Sequence, residues 1–222
     1  MKNHKYLFWV VSVMLSTLFV LNGCGLGGET IPKNRTKKQY EFEKTFEPIF
    51  NFLEQDKKDF TGLKSYTSDV YIKDGYPVKD YNIDLDITES VIKGDYTIKI
   101  GDKKESVPVT YSNGKLQYES KLEPLFDEEI LNLMVSRDYF ASLDVEKTFK
   151  SAETELSDII YQPENQSELY KKIVEKYNLP SDTKLSVSLG YAYYDRYDIL
   201  LSLESKEKLV QISAAIYLVK EK

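Results

Sequence analysis

Residues 81–88 read Tyr81-Asn82-Ile83-Asp84-Leu85-Asp86-Ile87-Thr88. Apolar and polar side chains alternate at all eight positions, and successive strand residues point to opposite faces. One face is therefore buried and the other wet, which is the pattern of an antiparallel sheet solvated on one side. Working outward, Ser65 to Lys73 is rich in β-formers and meets Asp74-Gly75, a hairpin signal. Tyr96, Ile98 and Ile100 continue the alternation, and Val107, Val109 and Tyr111 lead into Asn113-Gly114 before Leu116 and Tyr118 return. An Asn-Gly pair flanked by alternation is a strong hairpin signal. Near the C-terminus three more runs alternate: Leu185 to Tyr193, Tyr197 to Leu203, and Val210 to Leu218.

Three stretches have helical spacing instead. Phe42, Phe46, Ile49, Phe50 and Leu53 predict an amphipathic helix from Lys38 to about Lys57, kinked or restarted at Pro48. Residues 127–161 are expected to form one or two helices with a break at Ser142-Leu143-Asp144. Ser167 to Asn178 predicts a further helix, closed by Pro180. Helix followed by strands thus occurs twice, which predicts an α+β fold of antiparallel meanders with packed helices. In element order alone it resembles two helix-plus-meander units of the cystatin or NTF2 kind, at 39–122 and 123–222, without a residue-level repeat and without a functional implication.

The N-terminus carries a different message. Lys2, His4 and Lys5 precede an apolar run from Leu7 to Leu21, which is short for a membrane span and fits the apolar core of a secretory signal. Leu21-Asn22-Gly23-Cys24 follows it. This resembles the lipobox of bacterial lipoproteins, although Asn22 departs from the usual small or apolar residue. The resemblance implies removal of residues 1–23, a diacylglyceryl group and further acylation (palmitate) on Cys24, and a cell-membrane location on the extracytoplasmic face. Cys24 is the only cysteine, so no intrachain disulfide is possible. Acylation accounts for a single thiol in an exported chain. At about 0.8 kcal/mol per buried methylene, two acyl chains hold a protein on a bilayer where one is marginal. Residues 24–38 read as a lipidated flexible tether, glycine-rich at first and basic in its distal half through Lys33, Arg35, Lys37 and Lys38. Residues 39–222 then form the extracytoplasmic domain.

Composition narrows what that domain does. From Gln39 onward there are 24 basic and 35 acidic residues, a net charge of −11. Phosphate backbones are repelled by such a surface, so nucleic acid is not an expected partner. Cleavage before Cys24 also removes the only histidine, His4, and the only tryptophan, Trp9. Nucleophile–histidine dyads and zinc sites built on His or Cys are then unavailable, leaving carboxylates, Lys, Tyr and Arg for any chemistry. No cofactor, metal ligand set or catalytic residue is expected.

Three constellations stand out. Asp80, Asp84 and Asp86 share a strand face and could gather calcium oxygens, but no D-x-D-x-D-G loop is present and a solvated face is the expected reading. Asp127, Glu128 and Glu129 could supply a glycosidase-type acid pair, yet neighbours at a helix start do not face one another and simply complement its dipole. In Tyr191-Ala192-Tyr193-Tyr194-Asp195-Arg196-Tyr197, alternation assigns Tyr191, Tyr193 and Tyr197 to the core. It leaves Tyr194 and Arg196 as the candidate partner contacts, residue types that dominate binding hot spots. The expectation is a non-catalytic binding module for a protein, envelope component or small ligand. The rivals are a carrier of lipid or small apolar ligands and a carboxylate-dependent hydrolase of envelope polymers.

Overall fold

In the computed structural model, the residues described are 30–54, 60, 62–88, 91–112, 115–119, 136–151, 153, 155–162, 165–193 and 195–219. The expected signal, Cys24, Asn113-Gly114, Asp127 to Glu129 and Tyr194 lie outside them. Chain contacts divide the protein at Pro32, and the larger unit starts at Lys33.

That unit is built on one ten-stranded antiparallel sheet. Its strands are β1 (Leu63–Asp74), β2 (Lys79–Ile87), β3 (Ile92–Ile100), β4 (Lys103–Ser112), β5 (Lys115–Tyr118), β6 (Val145–Lys150), β7 (Ser157–Tyr161), β8 (Lys184–Ala192), β9 (Arg196–Glu204) and β10 (Lys208–Leu218). The order is β5-β4-β3-β2-β1-β10-β9-β8-β7-β6, so the chain runs outward from the centre in its first half and inward from the far edge in its second. The described helices are short: α1 (Lys37–Glu43), a 3₁₀ turn (Lys44–Phe46), α2 (Glu47–Glu54), α3 (Arg137–Ser142) and α4 (Glu168–Tyr177).

This corrects the expected α+β class. The protein is largely β, and the two expected helix-plus-meander units are halves of one continuous sheet joined by the β1–β10 pairing. The main error lies in residues 127–161, whose second part forms β6 and β7 rather than helix. Phe149 and Leu156, seven apart, would share a face of a helix, but one lies in β6 and the other in the turn before β7, and both are exposed. The β-branched and aromatic content of Thr148-Phe149 and Ile159-Ile160-Tyr161 favours the strand, and pairing of β7 with β8 satisfies its backbone.

Elsewhere local chemistry sets the elements. The helix expected from Lys38 to Lys57 divides near Pro48, which occupies the first turn of α2 where its missing N–H costs nothing. A capping box opens α1, with Thr36 accepting from the Gln39 backbone and Gln39 accepting from Thr36. Ser167 caps α4, and Asn178, in the left-handed region at φ 47°, ends it. Gly75 takes φ 68° in the turn after β1, as the Asp-Gly signal predicts.

The two faces of the sheet differ. Tyr66 and Val70, Ile83 and Leu85, Tyr96, Val109, Ile159 and Tyr161, and every second residue of Leu185–Leu189, Ile199–Leu203 and Val210–Ile216 point to one side, where they form a single core with helical side chains. Phe50, Phe140 and Tyr161 pack ring to ring at 5.5–5.7 Å between centroids, joining α2, α3 and β7. Burying each such side chain contributes about 1.5–3 kcal/mol. Among the described residues the helices bury their apolar faces in this core, and Lys208 on β10 donates to the Tyr177 carbonyl at the end of α4. The opposite face is mixed: polar and small side chains alternate there with the half-buried Tyr71, Ile160, Leu200, Leu209 and Tyr217.

Candidate functional site

Strand register places the sequence candidates on that polar face. On β2, Asp80, Asn82, Asp84 and Asp86 lie opposite the core-facing Tyr81, Ile83 and Leu85. Thr67 donates to Asp84 at 2.9 Å, and Asn82 donates to Asp69 of β1 at 2.7 Å. Ser213 of β10 donates to the other Asp69 oxygen at 3.5 Å. No group of three or more His, Cys, Asp or Glu able to hold a metal ion occurs among the described residues. The aspartates of β2 are spread along a strand, and one of them, Asp84, accepts from the Thr67 hydroxyl.

Asp69 was not singled out in the sequence, because its strand begins with the mixed run Ser65-Tyr66-Thr67-Ser68. Burial holds its carboxyl above the ordinary range, and the nearby Asp80 and Asp84 charges push the same way against the donors Asn82 and Ser213. A carboxyl raised in the fold favours the protonated state on folding. Its contribution is fully present below the ordinary aspartate value and is lost as pH rises through the folded one. Asp69→Asn is therefore expected to gain stability relative to wild type as pH rises from about 4 to 7. Melting temperatures of both proteins across that range measure it. A constant difference would show that Asp69 ionises in the fold as it does in the unfolded chain.

A second pair straddles Gly190. Register sets Asp158 of β7 and Asp198 of β9 on either side of this glycine. A Cβ there would lie 3.2 Å from Asp158 Oδ1 and 3.8 Å from Asp198 Oδ2. Burial and then the Asp198 charge raise the Asp158 carboxyl. Asp198 is held by Arg196, whose Nε and Nη2 donate to Oδ1 at 3.0 and 2.8 Å. The signal for this pair was present in Ser157-Asp158-Ile159, but the helical assignment of that stretch concealed it.

Arg196, a sequence candidate, thus lies on the polar face, paired with Asp198 and stacked 5.6 Å from the Tyr217 ring. Of the tyrosines assigned to the core, Tyr197 is buried and Tyr191 packs beside it at 5.0 Å between ring centroids. Tyr193 has left the strand: it is 44% exposed in the turn, and its hydroxyl donates to the Glu153 carbonyl. Alternation failed there because the strand ends at Ala192.

Arg35, expected in the basic tether, is buried and belongs to the folded unit. It forms an ion pair with Glu43 of α1 at 3.0 Å, with no side-chain surface of its own exposed. Its neighbours Lys37 and Lys38 are exposed on α1.

No protein-family model matches the chain, and no curated protein matches it. Among solved structures, an N-terminal dehydratase from the difficidin assembly line aligns over 81% of this chain and 85% of its own, at 8% identity and a TM-score of 0.15. A superposition that poor carries no argument about fold or function.

Proposed function

We propose that the protein is a lipid-anchored, extracytoplasmic binding module that offers the polar face of its sheet to a partner. The anchor reading is supported by Leu21-Asn22-Gly23-Cys24 behind a short apolar run. The binding reading is supported by one observation: α2, α3 and α4 bury apolar side chains in one core on a single face of a ten-stranded sheet, leaving the other face uncovered by any described helix, with half-buried polar, small and apolar groups. On β8 to β10 the small Ser186, Ser188, Gly190, Ser202, Ser213 and Ala215 surround the half-buried Leu200, with Ile160, Leu209 and Tyr217 beside them and Asp69, Asp158, Asp198 and Arg196 at the border. The apolar side chains supply contact area for a partner, and the bordering charges supply orientation.

The two rivals draw less support. A carrier needs apolar volume, and the apolar face is filled by Phe46, Tyr66, Tyr96, Phe140 and Tyr161, each under 2% exposed. A two-acid hydrolase needs both carboxyls available, and Arg196 holds Asp198.

Two experiments test the proposal. Cys24→Ser should abolish detergent-phase partitioning and leave an unprocessed or released chain, and mass spectrometry of the wild type should find the diacylglyceryl group. A free thiol on the mature N-terminus would refute the anchor. For the face, Ser188→Arg and Ser202→Arg plant guanidinium groups away from the core. Each should keep the melting temperature and lose the partners that the wild type cross-links on intact cells. Unchanged cross-linking would place recognition elsewhere.

A further inference from the structure

At one end of the polar face, Asp182, Lys184, Ser186, Glu204, Ser205 and Lys206 line an open depression of about 540 Å³. Pockets of roughly 300–1,000 Å³ take small-molecule ligands. The backbone beneath it is held by hydrogen bonds, and its four charged side chains are exposed. Ser205 accepts from the Lys208 backbone at 2.9 Å and donates back to the Lys208 carbonyl at 3.1 Å, which fixes the β9–β10 turn. Ser186 donates to the Ser202 carbonyl at 3.4 Å, tying β8 to β9.

The charges around this depression are arranged unusually. Lys184 and Glu204 are direct register partners on neighbouring strands, beside the core-facing Leu185 and Leu203. Opposite charges in that relation ordinarily attract across the sheet, and elsewhere this protein closes such contacts, as Lys208 does with Asp74 at 3.2 Å. Yet no ion pair joins Asp182, Lys184, Glu204 and Lys206 among the described residues. Two exposed ammonium groups and two exposed carboxylates therefore border the depression with no direct ion pair between them. A lone anion entering it meets Asp182 and Glu204, and a lone cation meets the two lysines. Only a ligand carrying both signs is complementary to all four groups, while the aliphatic stems of the lysines can cover its apolar body.

We infer that this depression binds a small zwitterion of the size of a free di- or tripeptide. Lys184 and Lys206 receive its carboxylate, and Asp182 and Glu204 receive its ammonium. The inference rests on the polar face being the recognition surface, and it gives that face a ligand class.

The test is calorimetric titration of the full chain in detergent micelles with four forms of one probe: free Ala-Ala, N-acetyl-Ala-Ala, Ala-Ala amide, and the dipeptide blocked at both ends. Free Ala-Ala should bind saturably, and blocking either end should weaken it at least about tenfold, a loss of about 1.4 kcal/mol. Lys184→Gln and Glu204→Gln should each weaken the free dipeptide about tenfold while leaving the melting temperature unchanged. Phosphoethanolamine serves as the lipid-headgroup arm and should bind more weakly than Ala-Ala; tighter binding would overturn the peptide assignment. Equal affinity for all four dipeptide forms, or binding of none, would overturn the site. Cross-linking by Ser188→Arg and Ser202→Arg is an independent readout, so failure of the peptide site and failure of the binding-module reading are distinguishable.

Discussion

Arg35→Ala is expected to cost the domain about 3–5 kcal/mol, the range for removing one partner of a buried ion pair. Its guanidinium is the hub of several contacts. Nε and Nη2 donate to the two Glu43 oxygens at 3.0 and 3.1 Å, and Nη2 also reaches the Phe140 carbonyl at 2.9 Å. Nη1 donates to the carbonyls of Asn34 and Leu143. A short helix leaves its C-terminal oxygens short of partners; Arg35 serves the Phe140 carbonyl within α3 and the Leu143 carbonyl just after it, and Asn34 serves Ala141 and shares Leu143. Glu43 also accepts from the Tyr161 hydroxyl at 2.8 Å, and the guanidinium lies 5.6 Å from the Tyr161 ring. Removing Arg35 leaves a carboxylate with 12% of its side-chain surface exposed and facing a buried phenol. Arg35→Lys keeps the charge but not the planar fork, so it should recover only part of the loss. Lys37→Ala, two residues on and exposed, should change stability by less than about 0.5 kcal/mol. Urea unfolding of the three variants measures the order; if Arg35→Ala loses no more than Lys37→Ala, the network does not hold the fold.

Gly94→Ala is expected to destabilise by about 3 kcal/mol or more, because the added methyl has nowhere to go. A Cβ there would sit 1.7 Å from the Asp84 carbonyl oxygen and 2.7 Å from its carbon. These are backbone atoms of β2, the register neighbour of β3, so relief requires the two strands to separate. Gly190→Ala makes the sharpest control. Its nearest contact is an Asp158 carboxylate oxygen at 3.2 Å, which can swing aside, and an Ala also reduces the strand's entropy cost. It should stay within about 0.5 kcal/mol of wild type. Equal thermal shifts for the two substitutions would mean that β2 and β3 are not in this register.

Amphipathic period and local turn chemistry made much of the sheet legible in the sequence. In Leu185 to Tyr191, Tyr197 to Leu203 and Val210 to Ile216, one face needs water and the other needs its absence, and the pleat turns that need into alternation. Asp74-Gly75 and Ser167 to Asn178 were equally readable, since a turn or cap is decided by the few residues within it. The sequence alone also supplies the net charge and confines the only histidine, tryptophan and cysteine to residues 4, 9 and 24.

What the tertiary structure decided depends on residues far apart in the chain. Thr148 and Ile159 become strand because β8 offers β7 a hydrogen-bonding edge, a partner absent from any local window. Two apparent units become one sheet because β1 meets β10, a pairing separated by more than a hundred residues. Arg35 reads as a tether cation until α3 brings the Phe140 and Leu143 carbonyls to it, and Gly94 reads as a weak spot in a strand until β2 closes over it. The opposed Asp158 and Asp198, and the four charges around the depression at Lys184, arise in the same way. Local sequence sets which face of each strand must be dry; only the packed sheet sets which side chains meet on the face that stays wet.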